Sequence, residues 1–227
     1  MNTLNLYAKN VEIKEKNGEP FYLVRKIAEP DKNEKLFYAT TKRIFDVFAG
    51  LLAVIVLFIP CCIVALAIYI DDPGPVFYTQ ERLGKNGKPF MLYKFRSMYT
   101  NAEENGAVWA SENDNRCTPV GRLLRATRID ELPQLLNIIK GDMSIVGPRP
   151  ERPCFYDEFD NYIDGFRQRL YIIPGLTGLA QINGGYELKP EEKIAYDLEY
   201  IETRNFWLDI KLILKTVLIV FTHKGAR

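Results

Sequence analysis

Histidine is nearly missing from these 227 residues: the single one, His223, stands close to the end of the chain. Cys61, Cys62, Cys117 and Cys154 are the only cysteines, and they show no paired metal-ligand spacing. A zinc centre and a disulfide framework are therefore excluded as organising features. Nor is there an excess of either charge. Thirty Lys and Arg stand against 29 Asp and Glu, so no overall field argues for wrapping nucleic acid or for a disordered tail. Any anion chemistry has to be local.

What stands out instead is one apolar run, VFAGLLAVIVLFIPCCIVALAIYI at 47–70, without a single charge. At about 1.5 Å per residue it is long enough to cross the roughly 30 Å hydrocarbon core, so the chain is expected to meet a lipid bilayer. It is no cleaved signal peptide, because 43 mostly polar residues precede Ile44 and no short basic start leads into it. A simple transmembrane helix is one reading. Pro60 favours another, since it divides the run into arms of 13 and 10 residues, each too short to span, and proline removes a helix hydrogen bond and kinks the axis. Basic residues flank both ends, Lys42 and Arg43 before and Arg82, Lys85 and Lys88 after. Such flanks tend to stay cytoplasmic, which points to a re-entrant element with both ends on that face.

Three regions follow: a polar extension over 1–35 with one strand-like patch, PFYLVRKI; a re-entrant membrane helix over 36–70; and a working domain over 71–227. The fold expected is mixed α/β and helix-rich. VFYTQERLG and PFMLYKFRSM, joined by GKNGK, read as a small β-hairpin. Residues 99–117 read as a loop. Thr118 and Pro119 suit the cap and first position of a helix whose Arg122, Arg125 and Arg128 share one face. A second helix carries Leu132, Leu135, Leu136 and Ile139, ends at Gly141, and tolerates Pro133 only in its first turn. Asp130 and Glu131 would then begin that helix, where free N–H groups and the dipole attract phosphate and keep a carboxylate ionised. The C-terminal stretch NFWLDIKLILKTVLIVF is too charged to span comfortably and fits an interfacial amphipathic helix, a core helix being nearly as consistent with the pattern.

Taken in order, KRIFDVFAGLL, QERLG, YKFRSM, RIDELPQLLNIIKGDMSIVGPRPE, PGLTGLAQINGG and DLEYIETRNFWLDIKLILKTV resemble the bacterial sugar transferases known as monotopic phosphoglycosyl transferases, over about Lys42 to Phe221. The resemblance implies transfer of a sugar 1-phosphate from a UDP-sugar to polyprenyl (undecaprenyl) phosphate, with release of UMP, on the cytoplasmic face of the bacterial inner membrane, as the first membrane step of polysaccharide or glycoconjugate assembly. It makes Asp130 the nucleophile, Glu131 its assistant, and the pair the protein ligands of Mg²⁺. Lys94 and Arg96 match the basic pair of the family's KF(R/K) motif, and Arg149 the arginine of its Pro-Arg-Pro motif; Lys94 and Arg149 are implied at the chemistry. Arg96, Arg169, Asp197 and Asp209 are implied in substrate binding, although for the last two a structural pairing fits equally well. Arg128 enters from the residues themselves: with Arg122 and Arg125 it lies just upstream of the acidic pair, and together with Arg149, Lys94 and Arg96 these cations could clamp two phosphates.

Two positions depart from the family pattern. Gly185 stands where an arginine is common, leaving the sugar open, and Ile59 precedes Pro60 where a serine is common. Two other function classes remain: a membrane-anchored scaffold with a dead site, and a metal-dependent glycosyltransferase releasing UDP, which would want an Asp-x-Asp motif that the chain lacks. The oligomeric state stays open, a homodimer included.

Overall fold

The computed structural model describes residues 3–31, 36–102, 114–184 and 188–222. Gly185, His223 and most of the loop expected over 99–117 lie outside the described residues. The fold is helix-rich with small sheets and one long apolar helix.

The first 31 residues are more structured than their polarity suggests. Helix α1 (Thr3–Asn10) leads into strands β1 (Val11–Lys16) and β2 (Glu19–Val24), paired antiparallel with Lys16 opposite Glu19. The two residues between them, Asn17 and Gly18, sit at φ 57° and 82°, the left-handed pair that a tight hairpin demands and that Asn-Gly supplies most easily. Val11, Val24 and Ile27 enter the main core. Ion pairs Lys9–Glu199 (2.9 Å) and Arg25–Glu202 (2.5 Å) fasten the segment to the C-terminal half.

Helix α2 (Leu36–Asp71) runs without interruption through Pro60, so the break expected there is not observed. At about 1.5 Å per residue it is roughly 54 Å long. Only Asp46, Gly50 and Ile68 are buried, and Ile55, Phe58, Ile59, Ile63 and Leu66 are all more than 60% exposed. Such a continuous apolar surface calls for a non-aqueous partner.

Strands β3 (Phe77–Leu83) and β4 (Pro89–Phe95) form the expected hairpin, with Asn86 and Gly87 at positive φ in its turn. Helix α3 (Pro119–Ala126) is capped by Thr118 Oγ1, which accepts from Gly121 N at 2.9 Å. A 3₁₀ turn (Ile129–Gln134) precedes the short α4 (Leu135–Lys140). Then come β5 (Ser144–Val146), α5 (Pro153–Asp160), β6 (Ile163–Asp164), a 3₁₀ turn over Phe166–Tyr171, β7 (Gly175–Thr177), α6 (Leu179–Asn183), α7 (Pro190–Thr203) and α8 (Phe206–Thr222). β6 extends the first hairpin as the parallel neighbour of β2, and β5 pairs parallel with β7. The main core gathers Tyr156, Phe159, Ile163, Phe166, Ile194, Leu198 and Ile201 around α5, α7 and the second 3₁₀ turn.

Both ends of α2 are tied to this body. Near its start, Arg43 donates to the carbonyls of Ile138 (2.5 Å) and Ile139 (2.7 Å), satisfying the free end of α4. Asp46 Oδ1 accepts from Ile145 N at 3.1 Å. Asp209 Oδ2 takes both Lys42 Nζ (2.9 Å) and Tyr38 OH (2.7 Å) while its Oδ1 takes Tyr200 OH (2.7 Å). Near its end, Ile68 packs with Phe95 and Leu124, and Asp71 Oδ2 accepts from Val120 N at 3.0 Å.

Candidate active site

Asp130 and Glu131 sit on the 3₁₀ turn, not at the start of an α-helix as the apolar spacing suggested. Pro133 has no N–H to give an α-helical bond, the local bond is the tighter one from Glu131 N to Arg128 O at 3.1 Å, and Arg128 turns the chain with φ 58°. α4 begins only at Leu135 and has six residues, so a helix dipole contributes little at Asp130. The positive field comes from side chains instead.

Glu131 is clasped by Arg149, whose Nη1 donates to Oε2 at 3.3 Å and whose Nη2 donates to Oε1, a two-pronged contact; Lys94 Nζ, from β4, lies 3.4 Å from Oε1. Asp130 has the looser partner, Lys94 at 3.9 Å. Both side chains are 9% exposed. Burial pushes the Asp130 carboxyl up to about 6, Lys94 opposing and the negative charge of Glu131 adding to it. Burial would raise Glu131 too, but Arg149 and Lys94 outweigh it and hold that carboxyl far below the usual range. Two adjacent acids thus acquire different characters: Glu131 is a fixed anion, and Asp130 is a more basic carboxylate with lone pairs to offer.

Close backbone contact sets the position of Arg149. The 147–149 turn lies directly on 173–178, with Gly147 N donating to Thr177 O and Gly175 N to Pro148 O, both at 2.8 Å. A Cβ on Gly175 would fall 2.0 Å from Gly147 N, so only glycine permits this approach. Beneath the turn, Arg169, 2% exposed, donates from Nη2 to Arg149 O at 2.9 Å and pairs with Asp197 at 2.8 Å. Beside it, Glu151 takes Arg82 at 3.2 Å. Burial raises the Glu151 carboxyl, but Lys193, Arg82, Arg169 and Arg149 together bring it below its ordinary value.

These groups line a cavity of about 500 Å³ with, among the described residues, ten Arg and Lys side chains against the three carboxylates Asp130, Glu131 and Glu151. That imbalance suits a polyanion such as a diphosphate. Lys94, Arg96, Arg128, Arg149 and Arg169 all reach the lining. Arg96 is anchored by Asp72, to whose carbonyl it donates and whose Oδ2 lies 3.5 Å away. Asp197 and Asp209 do not line the cavity: the first is buried against Arg169, and the second is saturated by Tyr38, Lys42 and Tyr200 at the foot of α2. Of the arginine face on α3, Arg125 lines the cavity and Arg122 does not. Arg82, Glu151, Arg152, Gln181 and Lys193 are cavity residues that sequence reasoning missed.

The chain matches the family model described as Bacterial sugar transferase over residues 37–223. It belongs to the bacterial sugar transferase family. Among its relatives, a UDP-N-acetylgalactosamine-undecaprenyl-phosphate N-acetylgalactosaminephosphotransferase of Aeromonas hydrophila is 43% identical over 194 residues, 84% of this chain and 46% of that protein. UDP-glucose:undecaprenyl-phosphate glucose-1-phosphate transferases of Escherichia coli and Caulobacter vibrioides are 40% and 42% identical, each over 82% of this chain and over 41% and 71% of their own lengths. The chain thus spans about half the length of the Aeromonas and Escherichia proteins. The match to the bacterial sugar transferase model starts after α1, β1 and β2, which stand outside it.

No group of three or more His, Cys, Asp or Glu suited to a metal occurs among the described residues. Mg²⁺ asks for less, since it commonly takes one or two carboxylates and completes its shell with substrate phosphates and water. Asp130 and Glu131, adjacent at the wall of this cation-rich cavity, are the two carboxylates that could meet that requirement beside a diphosphate.

Proposed function

We propose that this bacterial sugar transferase moves a sugar 1-phosphate from a UDP-sugar to polyprenyl phosphate at a membrane surface, through a covalent intermediate on Asp130, as the first membrane step of polysaccharide or glycoconjugate assembly. The observation that carries the reading is the division between the two acids: Glu131 is held by Arg149 and Lys94, and Asp130 is buried beside it, basic and loosely paired, in a cavity lined with cations.

Asp130 Oδ attacks the phosphorus that bears the sugar, and the bond from that phosphorus to the bridging oxygen breaks, with UMP leaving on the bond's electron pair. The acyl phosphate left behind carries the sugar. An oxygen of polyprenyl phosphate then attacks the same phosphorus, the Asp130–phosphorus bond breaks, and the free carboxylate returns. Lys94 and Arg149 face the charge that develops on the transferring phosphoryl group, and Arg96 and Arg128 supply further cations for the diphosphate. Asp130 and Glu131 would hold Mg²⁺, which neutralises phosphate charge when bound. The uncharged base and the apolar polyprenyl tail ask different things of the site, and the exposed face of α2 beside the cavity-bearing domain serves the second.

Product analysis tests this directly. Purified protein given a UDP-sugar and undecaprenyl phosphate is expected to release UMP; UDP would indicate transfer of the sugar without its phosphate, and neither product would indicate a scaffold.

The topology proposed keeps both ends of α2 on one face of the membrane, as the re-entrant reading requires, but with the helix unbroken at Pro60. It is supported by the ties at both ends of α2: Asp46 and Ile68, roughly 33 Å apart along the helix at 1.5 Å per residue, pack on the same body. A helix threading straight through a bilayer would carry those two sites to opposite surfaces. Lying in one leaflet, it keeps both, and α8, with Trp207, Leu214 and Leu218 exposed and Asp209 buried, can rest at the same interface. Cysteines introduced next to Lys42 and next to Gly84 are therefore both expected to escape labelling by a membrane-impermeant reagent applied outside the cell. Labelling at only one of them would mean that α2 spans.

A further inference from the structure

Gln181 stands on α6 and lines the cavity, and its burial is out of keeping with its bonding. The residue is 9% exposed, yet neither Oε1 nor Nε2 has a hydrogen-bond partner among the described residues. Buried polar groups in folded proteins are nearly always paired, and a leucine would fill the same volume without the penalty of an unpaired amide. An amide kept unpaired at a cavity wall is explained by a ligand that completes it.

The carboxamide lies against the backbone beside the Arg149 turn. Its Oε1 lies beside Gly178, where an added Cβ would approach within 2.8 Å, and Gly178 itself rests on Gly147, next to the turn that carries Arg149. From behind, Ala180 and Leu179 pack against Leu6 of α1, together with Tyr196 and Leu188. The segment outside the family match therefore buttresses the wall from which Gln181 projects.

We propose that Gln181 is a donor-recognition residue, pairing through both amide atoms with an adjacent donor and acceptor on an uncharged part of the donor nucleotide-sugar. The assignment rests on the reading that this cavity takes a UDP-sugar. Cations serve the diphosphate; a neutral group with one acceptor beside one donor serves something else. The N3–H and C4=O edge of uracil has that pattern, and so does a pair of neighbouring sugar hydroxyls. A secondary acetamide does not, because its N–H and C=O point in opposite directions.

Binding measured without turnover tests the assignment. In an Asp130→Asn background, which cannot form the covalent adduct, the full chain with Gln181 (wild type at this position), with Gln181→Leu and with Gln181→Asn is titrated calorimetrically with UDP, UDP-glucose and UDP-N-acetylgalactosamine in the absence of lipid phosphate, and the unfolding temperatures are recorded without ligand. Gln181→Leu should unfold no lower than the chain with Gln181, since it removes unpaired polar atoms, yet bind UDP-sugars roughly tenfold to a hundredfold more weakly, the usual consequence of leaving a ligand's polar group unpaired. Gln181→Asn keeps the chemistry but withdraws it by one methylene, and should show the same loss with the fold intact. Weakening of UDP as much as of the UDP-sugars places the contact at the base; weakening of the UDP-sugars alone places it at the sugar. Unchanged affinity for all three ligands in both variants would overturn the assignment. A chain with Gln181 that binds none of them would overturn the UDP-sugar reading, and this assignment with it.

Discussion

Asp130→Asn should abolish turnover and the covalent adduct together while leaving the folded protein at least as stable at neutral pH. Given a UDP-sugar and no polyprenyl phosphate, wild-type protein should release UMP and gain the mass of a sugar phosphate; the variant should do neither, because asparagine keeps the shape of the side chain but has no carboxylate to attack with. Initial rates with both substrates should give the parallel lines of a ping-pong reaction. An active Asp130→Asn protein with a ternary-complex rate pattern would mean that the lipid phosphate attacks the donor directly. Stability supplies an independent reading. Burial raises the Asp130 carboxyl from 3.8 to about 6 in the folded protein, so the folded state holds this proton more tightly than the unfolded chain. Above pH 6, without divalent cations, wild type bears the cost of an ionised buried acid that the amide variant lacks, a difference of about 3 kcal/mol. The difference should shrink through the window between pH 6 and pH 4 and vanish below it, where the acid is protonated in both states.

Local features of the chain were legible where one residue type dictates one geometry. Thr118 with Pro119 starts α3, Gly141 ends α4 with φ 98°, and the β3–β4 hairpin turns where GKNGK stands. The same chemistry at Asn17-Gly18 marks the first hairpin, a signal overlooked because the surrounding VEIKEK is so polar; five of its six residues are exposed. The Asp130–Glu131 pair was visible as an unusual cluster, but its local structure was not. A period of three to four apolar residues cannot separate an α-helix from a 3₁₀ turn followed by one, and Pro133 decided it. Pro60 worked the other way: α2 stays continuous across it. Proline's missing hydrogen bond leaves a local defect, which an otherwise apolar helix of this length accommodates.

What sequence could not convey is which distant groups meet. Asp209 lies 171 residues from Tyr38, and the bond between them turns a candidate substrate ligand into the clasp that sets α2 against α8. Arg169 and Asp197 were a cation and an anion among many; folding makes them a buried pair that carries the Arg149 turn. Gln181 stands inside the PGLTGLAQINGG stretch without standing out from it, because an uncharged side chain becomes conspicuous only once burial shows that its bonds are unmade.

Arg149→Ala should lower turnover at least a hundredfold, the scale on which a preorganised positive group facing a developing phosphoryl charge contributes to the transition state. It should also destabilise the protein, by about 3 kcal/mol, because Glu131 would remain buried with only Lys94 at 3.4 Å and the charge of Arg128 to offset it. These two effects have different origins and separate in a second variant. Glu131→Gln in the Arg149→Ala background removes the stranded charge, so the unfolding temperature should recover much of the loss while turnover stays below that of Glu131→Gln alone, the control for the lost carboxylate. Arg149→Lys restores a positive charge without the two-pronged contact of the guanidinium, and should rank between Ala and wild type in rate. If the double variant recovered activity along with stability, Arg149 would serve only to neutralise Glu131, and the phosphoryl charge would have to be met by Lys94, Arg96 and Arg128.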